Sequence, residues 1–391
     1  MVASTASEGI SPHVDNDFRQ QNIPAWMPIL SPVYVISSFF ALSVLLVPCG
    51  VALLSTARGV TEMSVQYDGA GTGDAAAGCR ITAANHGYDS GATCTVRFAV
   101  ERDLSAPVYV YYEIENFYQN HKKYLDSRDD DQLRGRGDGR RAISSLASHP
   151  CAPLHELTNV SDNTTVYLNP CGFIANTLFN DVITLSNATS GVDGRSLGLT
   201  LREDKIAWKS DLERKFGQVL GFRKERCGSC ESPTCTCNDT QWSCTEPYAD
   251  TDGTCWLYFY PDEDTTLYAY EIYPMVLNPV EGILNEHFLV WMRTAALPKF
   301  RKLYGYFADT DIPRGSVLEF QIQPNWAVDG FQGKKTLVLT ESSYMGGRNE
   351  FVGWFYITVG AVCAVCGVGF GIVQLVAPRR LGDKAYLKKM D

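Results

Sequence analysis

The sequence has no surplus of basic residues: its 391 residues include 34 Lys and Arg against 44 Asp and Glu, a formal net charge of -10. This balance argues against binding to duplex nucleic acid, because such proteins need a basic surface that neutralises phosphates. Long apolar runs are also scarce. The mean hydropathy of -0.12 leaves room for only a couple of membrane spans, which excludes a transporter with many spans.

Cysteine, in contrast, is abundant, with 13 residues. A reducing compartment rarely tolerates so many cysteines unless they bind metal. The count therefore favours an oxidising location in the secretory pathway.

Two segments, residues 29–56 and 352–377, contain no charged side chain. Each is long enough to cross a hydrocarbon core of about 30 Å as a helix. The first segment has an alternative interpretation as a cleaved signal peptide, because Ser55, Thr56 and Ala57 would suit a cleavage site. Its apolar core is about twice as long as that of a signal peptide, however, and it follows a polar tail without a basic start. We therefore predict two uncleaved transmembrane helices.

The tail after the second segment sets the predicted orientation. It carries five Lys and Arg against two Asp, and basic residues beside a span favour the cytoplasm. Two spans place both ends of the chain on the same side of the membrane. The predicted organisation is a cytoplasmic tail at 1–28, a transmembrane helix at 29–56, a lumenal or extracellular ectodomain at 57–351, a second transmembrane helix at 352–377 and a basic cytoplasmic tail at 378–391.

The region between the spans carries two features of a secreted domain. Four N-glycosylation sequons begin at Asn159, Asn163, Asn187 and Asn238. Ten of the 13 cysteines also lie there, and an even number suits a disulfide framework. These ten are Cys79, Cys94, Cys151, Cys171, Cys227, Cys230, Cys235, Cys237, Cys244 and Cys255.

The same region has the patterning of a β-rich domain. Alternation of apolar and polar residues predicts strands, and shorter helical patterns cover residues 117–125 and 208–216. The fold class that follows is a membrane protein with two transmembrane α-helices and a large, disulfide-bonded, β-rich ectodomain, an antiparallel β sandwich with helical insertions. The predicted strands are 95–100, 108–114, 256–260, 267–272, 317–322 and 336–340.

Motifs that would carry chemistry are weak. Gly194–Gly198 fits the G-x-S-x-G pattern around Ser196, but its Ser/Thr/Gly-rich surroundings favour a glycosylated loop over the required strand-to-helix turn. The six cysteines from Cys227 to Cys255 have spacings that suit zinc, but no histidine lies among them and the compartment favours disulfides, whose pairing is left open. The six scattered histidines form no metal triad, and the Asp-Lys-Thr-Gly-Thr sequence that P-type pumps phosphorylate is absent. We expect no enzymatic activity, no metal and no cofactor.

A series of blocks, in order along nearly the whole chain, resembles one family. This is the cell-division-control protein 50, or ligand-effect modulator, family, the accessory (β) subunits of type IV P-type ATPase lipid flippases. The blocks are FRQQNIPAWMPIL at 18–30, NFYQNHKKY at 116–124, SRD at 127–129, NPCGFIANTLFND at 169–181, IAWKSD at 206–211, VWMRTAALPKFRKLY at 290–304, NWAVDGFQGKK at 325–335 and YITVG at 356–360.

The resemblance implies a non-catalytic subunit and chaperone. Such a protein would form a heterodimer with the catalytic subunit of a type IV P-type ATPase, allow its export from the endoplasmic reticulum, and support phospholipid transfer to the cytoplasmic leaflet. Its expected partners are that pump and membrane lipids, with no nucleic acid. Its expected location is the secretory pathway, comprising endoplasmic reticulum, Golgi and plasma membrane, with both termini cytoplasmic. The alternative is an independent cell-surface receptor or adhesion protein with a disulfide-rich ectodomain.

The resemblance also implies roles for individual residues. Cys79 with Cys94, and Cys151 with Cys171, occupy the family's disulfide positions, whereas residues 227–255 look like a cysteine-rich insertion that favours a protist member. We expect Trp291 and Leu297 to pack internally, and Arg293 to belong to a buried polar network. The family motif residues are Asn116, Phe117, His121, Asn176, Asn180, Asp181, Trp208, Trp291, Arg293, Pro298 and Phe300.

Overall fold

The structure is a computed structural model that forms two compact units. Of the described residues, those at 31–55 and 349–378 form the helix unit, and those between 56 and 348 form the β-rich domain. The predicted cytoplasmic tail at 1–28 and residues 379–391 lie outside the described residues. The structure describes residues 31–72, 78–81, 93–136, 150–158, 163–227, 248–250, 254–342 and 347–378.

The two units differ in secondary structure, with long helices in one and mainly strands in the other. The α-helices are α1 (Pro32–Gly59), α2 (Lys122–Asp126), α3 (Asp130–Leu133), α4 (Lys209–Arg214), α5 (Ala269–Ile272), α6 (Glu286–Met292) and α7 (Glu350–Val376). The strands are β1 (Glu62–Gly69), β2 (Cys94–Ala99), β3 (Val108–Glu115), β4 (Glu156–Thr158), β5 (Thr165–Asn169), β6 (Val182–Thr189), β7 (Arg223–Cys227), β8 (Tyr248–Ala249), β9 (Cys255–Phe259), β10 (Thr266–Tyr268), β11 (Phe300–Phe307), β12 (Val317–Gln323) and β13 (Lys334–Glu341).

The helix unit consists of α1 and α7, which are both long and apolar enough to cross a membrane. Three glycines spaced seven residues apart on α7 lie against α1. A Cβ atom would lie 2.8 Å from Leu54 Cβ if added at Gly353, and 2.7 Å from Val47 Cγ2 if added at Gly360. At Gly367 it would lie 3.3 Å from Phe40 Cε2. Small residues at this spacing let the two backbones approach closely, which is how helices associate in lipid.

The β-rich domain contains two antiparallel sheets around one core. One sheet has the strand order β1-β13-β3-β11 and the other the order β2-β12-β6. Alternate residues of β2 and β12 are buried, and the rings of Phe307 on β11 and Phe320 on β12 lie 6.4 Å apart. These observations confirm the predicted antiparallel sandwich. Two smaller sheets, β10-β5-β4 and β7-β9-β8, complete the strands of the described residues.

Three local predictions need correction. The strand expected at 267–272 ends at Tyr268 and is followed by α5, because the Glu271 side chain accepts a hydrogen bond from Tyr268 N at 2.7 Å and caps a helical turn. The helices expected at 117–125 and 208–216 are real but shorter, since they begin at Lys122 and Lys209.

A buried ion cluster ties the first sheet to the loop before β6. Lys335 on β13 is fully buried, and its Nζ donates to Asp181 Oδ2 and to Trp326 O, each at 2.6 Å. Asp181 also accepts from Tyr67 Oη at 2.9 Å, and its Oδ1 accepts from the backbone N–H groups of Asn325 and Trp326, each at 2.6 Å. We call Tyr67, Asp68, Asp181 and Lys335 the Lys335 cluster.

Asp68 joins the cluster through an irregularity in β1. It is the register partner of Lys335 on β13, and its Oδ2 lies 3.1 Å from Lys335 Nζ. The register shifts between Gln66 and Asp68, so that the consecutive residues Tyr67 and Asp68 are both buried. One ammonium group faces two carboxyl groups, and burial raises the pKa of Asp68 although Lys335 opposes the shift. A proton on Asp68 would leave the cluster neutral.

The glycine contacts of α7 predict that Gly360→Leu separates the two helices, because the added side chain meets α1 directly. Overpacking of this kind costs about 1–3 kcal/mol. Spin labels are attached through Val44→Cys and Val365→Cys, two exposed positions, after the native cysteines of both helices have been replaced by Ala. The distance distribution between the two labels should be longer and broader in Gly360→Leu. Gly371→Leu is the control, since no atom lies within 4 Å of a Cβ at that position. Equal distributions in the two variants would contradict the packing.

The Lys335 cluster predicts that Lys335→Met strongly lowers the melting temperature of the purified protein. Removing the ammonium leaves two carboxyl groups facing each other in the interior, and breaking a buried pair costs about 3–5 kcal/mol. The control is Lys334→Met, which removes a partly exposed ammonium 4.0 Å from Glu115 and should change stability by less than about 1 kcal/mol. The assignment fails if both variants melt like the wild type.

The raised pKa of Asp68 predicts a pH dependence with a defined sign. The folded protein holds this proton to higher pH than the unfolded chain, whose Asp pKa is about 3.9. The stability from Asp68 is therefore complete below that value and is lost as pH rises through the folded pKa. Melting series from acidic to neutral pH should show the wild type losing stability relative to Asp68→Asn. Asp264→Asn is the control at an exposed turn, and its melting temperature should follow that of the wild type across the pH series. A stability difference between Asp68→Asn and the wild type that does not change with pH would refute the assignment.

Candidate interaction site

The aromatic side chains Phe117, Trp291 and Phe300 of the family motifs meet in one aromatic cluster inside the β-rich domain. Phe117 is at its centre: its ring centroid lies 5.2 Å from that of Trp326, 5.3 Å from Phe331 and 6.0 Å from Trp291. Phe300 adds a further ring at 6.4 Å. Three sequence blocks, at 116–124, 290–304 and 325–335, supply these rings. Trp291 is completely buried, as expected for internal packing.

Hydrogen bonds attach the block at 169–181 to this cluster. Trp291 Nε1 donates to Ile174 O at 2.9 Å, and Trp326 Nε1 donates to Thr177 O at 3.2 Å. Asn176 Nδ2 donates within the block to the carbonyl oxygens of Pro170 at 3.1 Å and Gly172 at 2.8 Å. Asn180 O accepts from Asn325 Nδ2 at 3.0 Å, next to Asp181 of the Lys335 cluster. Most motif residues therefore stabilise the domain from inside.

Two disulfides hold segments of this domain. The structure contains the bonds Cys79–Cys94 and Cys151–Cys171, and the second closes a loop that ends at the start of the block at 169–181. Ser127 Oγ supports this loop, because it donates to Cys151 O at 3.0 Å and accepts from Phe173 N at 3.1 Å.

The structure describes part of the cysteine-rich segment and two of the four sequons. Cys255 is disulfide-bonded and opens strand β9, opposite Cys227 in the backbone register. Asn163 and Asn187 are exposed, as sequon acceptors must be. Residues outside the described part of the chain are Asn159, Asn238, Cys230, Cys235, Cys237 and Cys244.

The C-terminal end of α6 is held by a buried lysine. Lys302 on β11 donates from Nζ to Val290 O at 3.1 Å, to Trp291 O at 3.4 Å and to Arg293 O. A cation at these carbonyl groups caps the helix. Burial, with a smaller contribution from Arg293, lowers the pKa of Lys302 to about 7. This contact fixes where the chain leaves α6 and thereby positions Arg293.

Arg293 is more exposed than the sequence suggested. Its side chain is 41% exposed and lies 4.3 Å from the ring centroid of Trp208. Only its partner Asp211 is buried: Asp211 pairs with Arg293 through Oδ2 and with Lys215 Nζ through Oδ1 at 2.8 Å. The hydrogen bond from Arg293, and to a smaller extent the one from Lys215, lowers the pKa of Asp211, so this carboxylate keeps its charge.

The expectation for Leu297 was wrong, since this side chain is 67% exposed. Its loop is fixed through the backbone instead: Ala295 N donates to the buried Gln119 Oε1 at 2.8 Å, and Asn120 Nδ2 donates to Ala296 O at 2.8 Å. Phe117 N donates to Pro298 O at 3.2 Å. These bonds occupy the inner side of the loop and leave the leucine outside.

We refer to five exposed residues of the motif blocks together as the motif surface. Large apolar groups on it include Trp208, 65% exposed, and Tyr118, 55% exposed. Exposed aromatic and arginine side chains on a rigid base are typical of residues that anchor protein interfaces. The motif surface consists of Tyr118, His121, Trp208, Arg293 and Leu297, with Asn116 exposed beside it and bonded through Nδ2 to Phe331 O.

Sequence reasoning missed three buried polar residues. Gln119 and Lys302 hold the backbone of this surface, and Lys335 forms the ion cluster described above. Each lies inside a recognised block, so a polar residue among apolar neighbours was the available signal. The residues considered for chemistry form no comparable arrangement. Ser196 is exposed and pairs with Thr189 in a turn that follows β6, and no group of three His, Cys, Asp or Glu within the described residues would hold a metal ion.

Comparison with known proteins gives a consistent result. A family model described as the LEM3 (ligand-effect modulator 3) family, or CDC50 family, matches residues 53–380. ALA-interacting subunit 3 of Arabidopsis thaliana is 35% identical over 371 residues, 95% of this chain and 88% of that protein. Cell cycle control protein 50A of Mus musculus is 32% identical over 359 residues, 90% of this chain and 86% of that protein.

A yeast relative carries the most explicit name. It is the phospholipid-transporting ATPase accessory subunit CRF1 of Saccharomyces cerevisiae. The two sequences are 28% identical over an alignment of 397 positions, which covers 95% of this chain and 88% of that protein. Two long apolar helices, a disulfide-bonded β sandwich and a family match over most of the sequence agree with one another. The chain belongs to the LEM3/CDC50 family.

Proposed function

We propose that this chain is the non-catalytic accessory (β) subunit of a type IV P-type ATPase that transports phospholipids. The observation that carries the proposal is the match over 95% of the chain to a protein named as such an accessory subunit. A second relative, at 35% identity, is named for interaction with a partner. Because the sequence lacks the phosphorylation motif of P-type pumps, the transport cycle belongs to the partner.

The helix unit suits a role beside a larger membrane protein. The three spaced glycines of α7 pack against α1. Apolar residues on the remaining faces of both helices stay exposed, among them Val44, Val365 and Leu375. These faces match lipid tails or the helices of a pump, where close van der Waals packing drives association. The motif surface supplies a separate contact on the β-rich domain.

The proposal also includes the orientation of the chain in the membrane, its location and its role in export, which follow from the family role and the sequence. The β-rich region between the helices, residues 57–351, faces the lumen or the extracellular space, and the tails at 1–28 and 378–391 face the cytoplasm. The chain accompanies the pump from the endoplasmic reticulum through the Golgi toward the plasma membrane. It acts as a chaperone for export and supports phospholipid transfer to the cytoplasmic leaflet.

The motif surface makes this proposal testable at single residues. Trp208→Ala and Leu297→Ala should each reduce co-purification of the pump with the tagged chain from native membranes by about tenfold, as expected for interface anchors. Leu220→Ala is the matched control, because Leu220 is equally exposed but lies outside the motif surface. Mass spectrometry of the retained proteins provides the measurement, with thermal melting to establish that all variants fold.

Two results would count against the proposal. Equal recovery with all three variants would remove the motif surface from the interface. Recovery of the folded, glycosylated wild-type chain alone would contradict the subunit role and favour the independent receptor.

A further inference from the structure

A cleft on the β-rich domain has a charge opposite to that of the chain as a whole. It lies between α3, α4 and the segment after α6, and has a volume of about 240 Å³. This is smaller than the roughly 300–1,000 Å³ of sites for drug-sized ligands, so its ligand is compact. We call it the basic cleft. Its charged lining consists of Arg128, Arg134, Lys215, Arg293, Asp130 and Asp211.

The lining has four cationic against two acidic side chains, which leaves two positive charges in surplus within a chain of net charge -10. Both carboxylates already serve as internal partners. Arg128 Nε lies 3.0 Å from Asp130 Oδ1, and Asp211 binds Arg293 Nε and Lys215 Nζ. These ion pairs hold three of the cations in place around the cleft.

Donor capacity remains after these pairs have formed. A guanidinium has five N–H donors, and Arg128 and Arg293 each use Nε for the ion pairs given above. Arg134 has no ion pair among the described residues. The cleft thus combines fixed guanidinium groups with unused donors, which is the arrangement that recognises tetrahedral oxyanions through paired, charge-assisted hydrogen bonds.

We propose that the basic cleft binds the phosphate group of a small ligand, with Arg134 as its principal anchor. A free phosphate dianion would neutralise the surplus of two positive charges, and the singly charged phosphodiester of a lipid headgroup would neutralise half of it. The phosphate comes either from free phosphate or from the water-exposed headgroup of a phospholipid. The inference does not rest on the role as a pump subunit, since it concerns residues of this chain alone.

The test is calorimetric titration of the purified full-length chain in detergent at constant ionic strength. The probes are orthophosphate, glycerophosphoserine and glycerophosphocholine. Arg134→Gln should weaken binding of orthophosphate by about tenfold or more, because it removes charge-assisted hydrogen bonds. Arg136→Gln is the matched control, since Arg136 is exposed two residues further on and does not line the cleft. Thermal melting of both variants establishes that they fold.

Loss of binding in Arg134→Gln with retention in Arg136→Gln supports the proposal. Tighter binding of a glycerophosphodiester than of orthophosphate would then identify the source as a lipid headgroup, and the reverse would identify free phosphate. The proposal is overturned if the wild type shows no saturable binding, or if both variants lose affinity equally. It is also overturned if an acidic peptide displaces phosphate at matched charge, because the cleft would then be a docking point for protein. Retained pump co-purification in Arg134→Gln separates this result from the proposed function.

Discussion

The β-rich domain depends on a single buried ammonium group. Lys335 lies in the middle of the first sheet with no exposure to solvent, so it needs partners that compensate its lost hydration. Asp181 and Asp68 provide these, and the backbone of Trp326 accepts the remaining bond. Asp68 and Asp181 are both distant from Lys335 in the sequence, so the charge can be satisfied only when β1, β13 and the loop before β6 are all in place. The cluster thereby specifies one arrangement of the sandwich.

Around this point, the family motifs have two different roles. Phe117, Trp291, Phe300 and Trp326 fill the aromatic cluster, and Asn176 braces the loop clipped by the Cys151–Cys171 disulfide. These residues maintain the fold and are not free to contact a partner. A second, smaller group is held at the surface by the first: Lys302 and Gln119 fix the backbone from which Arg293 and Leu297 project. In the proposed function, that second group contacts the partner.

The sequence predicted the large features because their signals are local. Two uncharged runs predict two long apolar helices, and period-two alternation predicts the strands of a sandwich. Three sandwich strands, β1, β6 and β11, were missed. In β11, Arg301 and Lys302 interrupt the pattern, yet Arg301 pairs with Glu62 and Glu113, and Lys302 caps α6. The partners that compensate these charges are far away in the chain, so a short stretch of sequence does not reveal them. The exposure of Arg293 and Leu297 has the same origin, since tertiary hydrogen bonds from Gln119 and Asn120 determine the course of their loop.

The proposed function is that of a subunit that binds a pump, while the pump moves the lipid. The most direct measurement is phospholipid translocation to the cytoplasmic leaflet in cells that lack this chain, followed with a labelled phospholipid, together with the location of the pump. The account predicts that the pump stays in the endoplasmic reticulum, that translocation falls to background, and that the wild-type chain restores both. A pump that is still folded, exported and transporting lipid in the absence of this chain would contradict it.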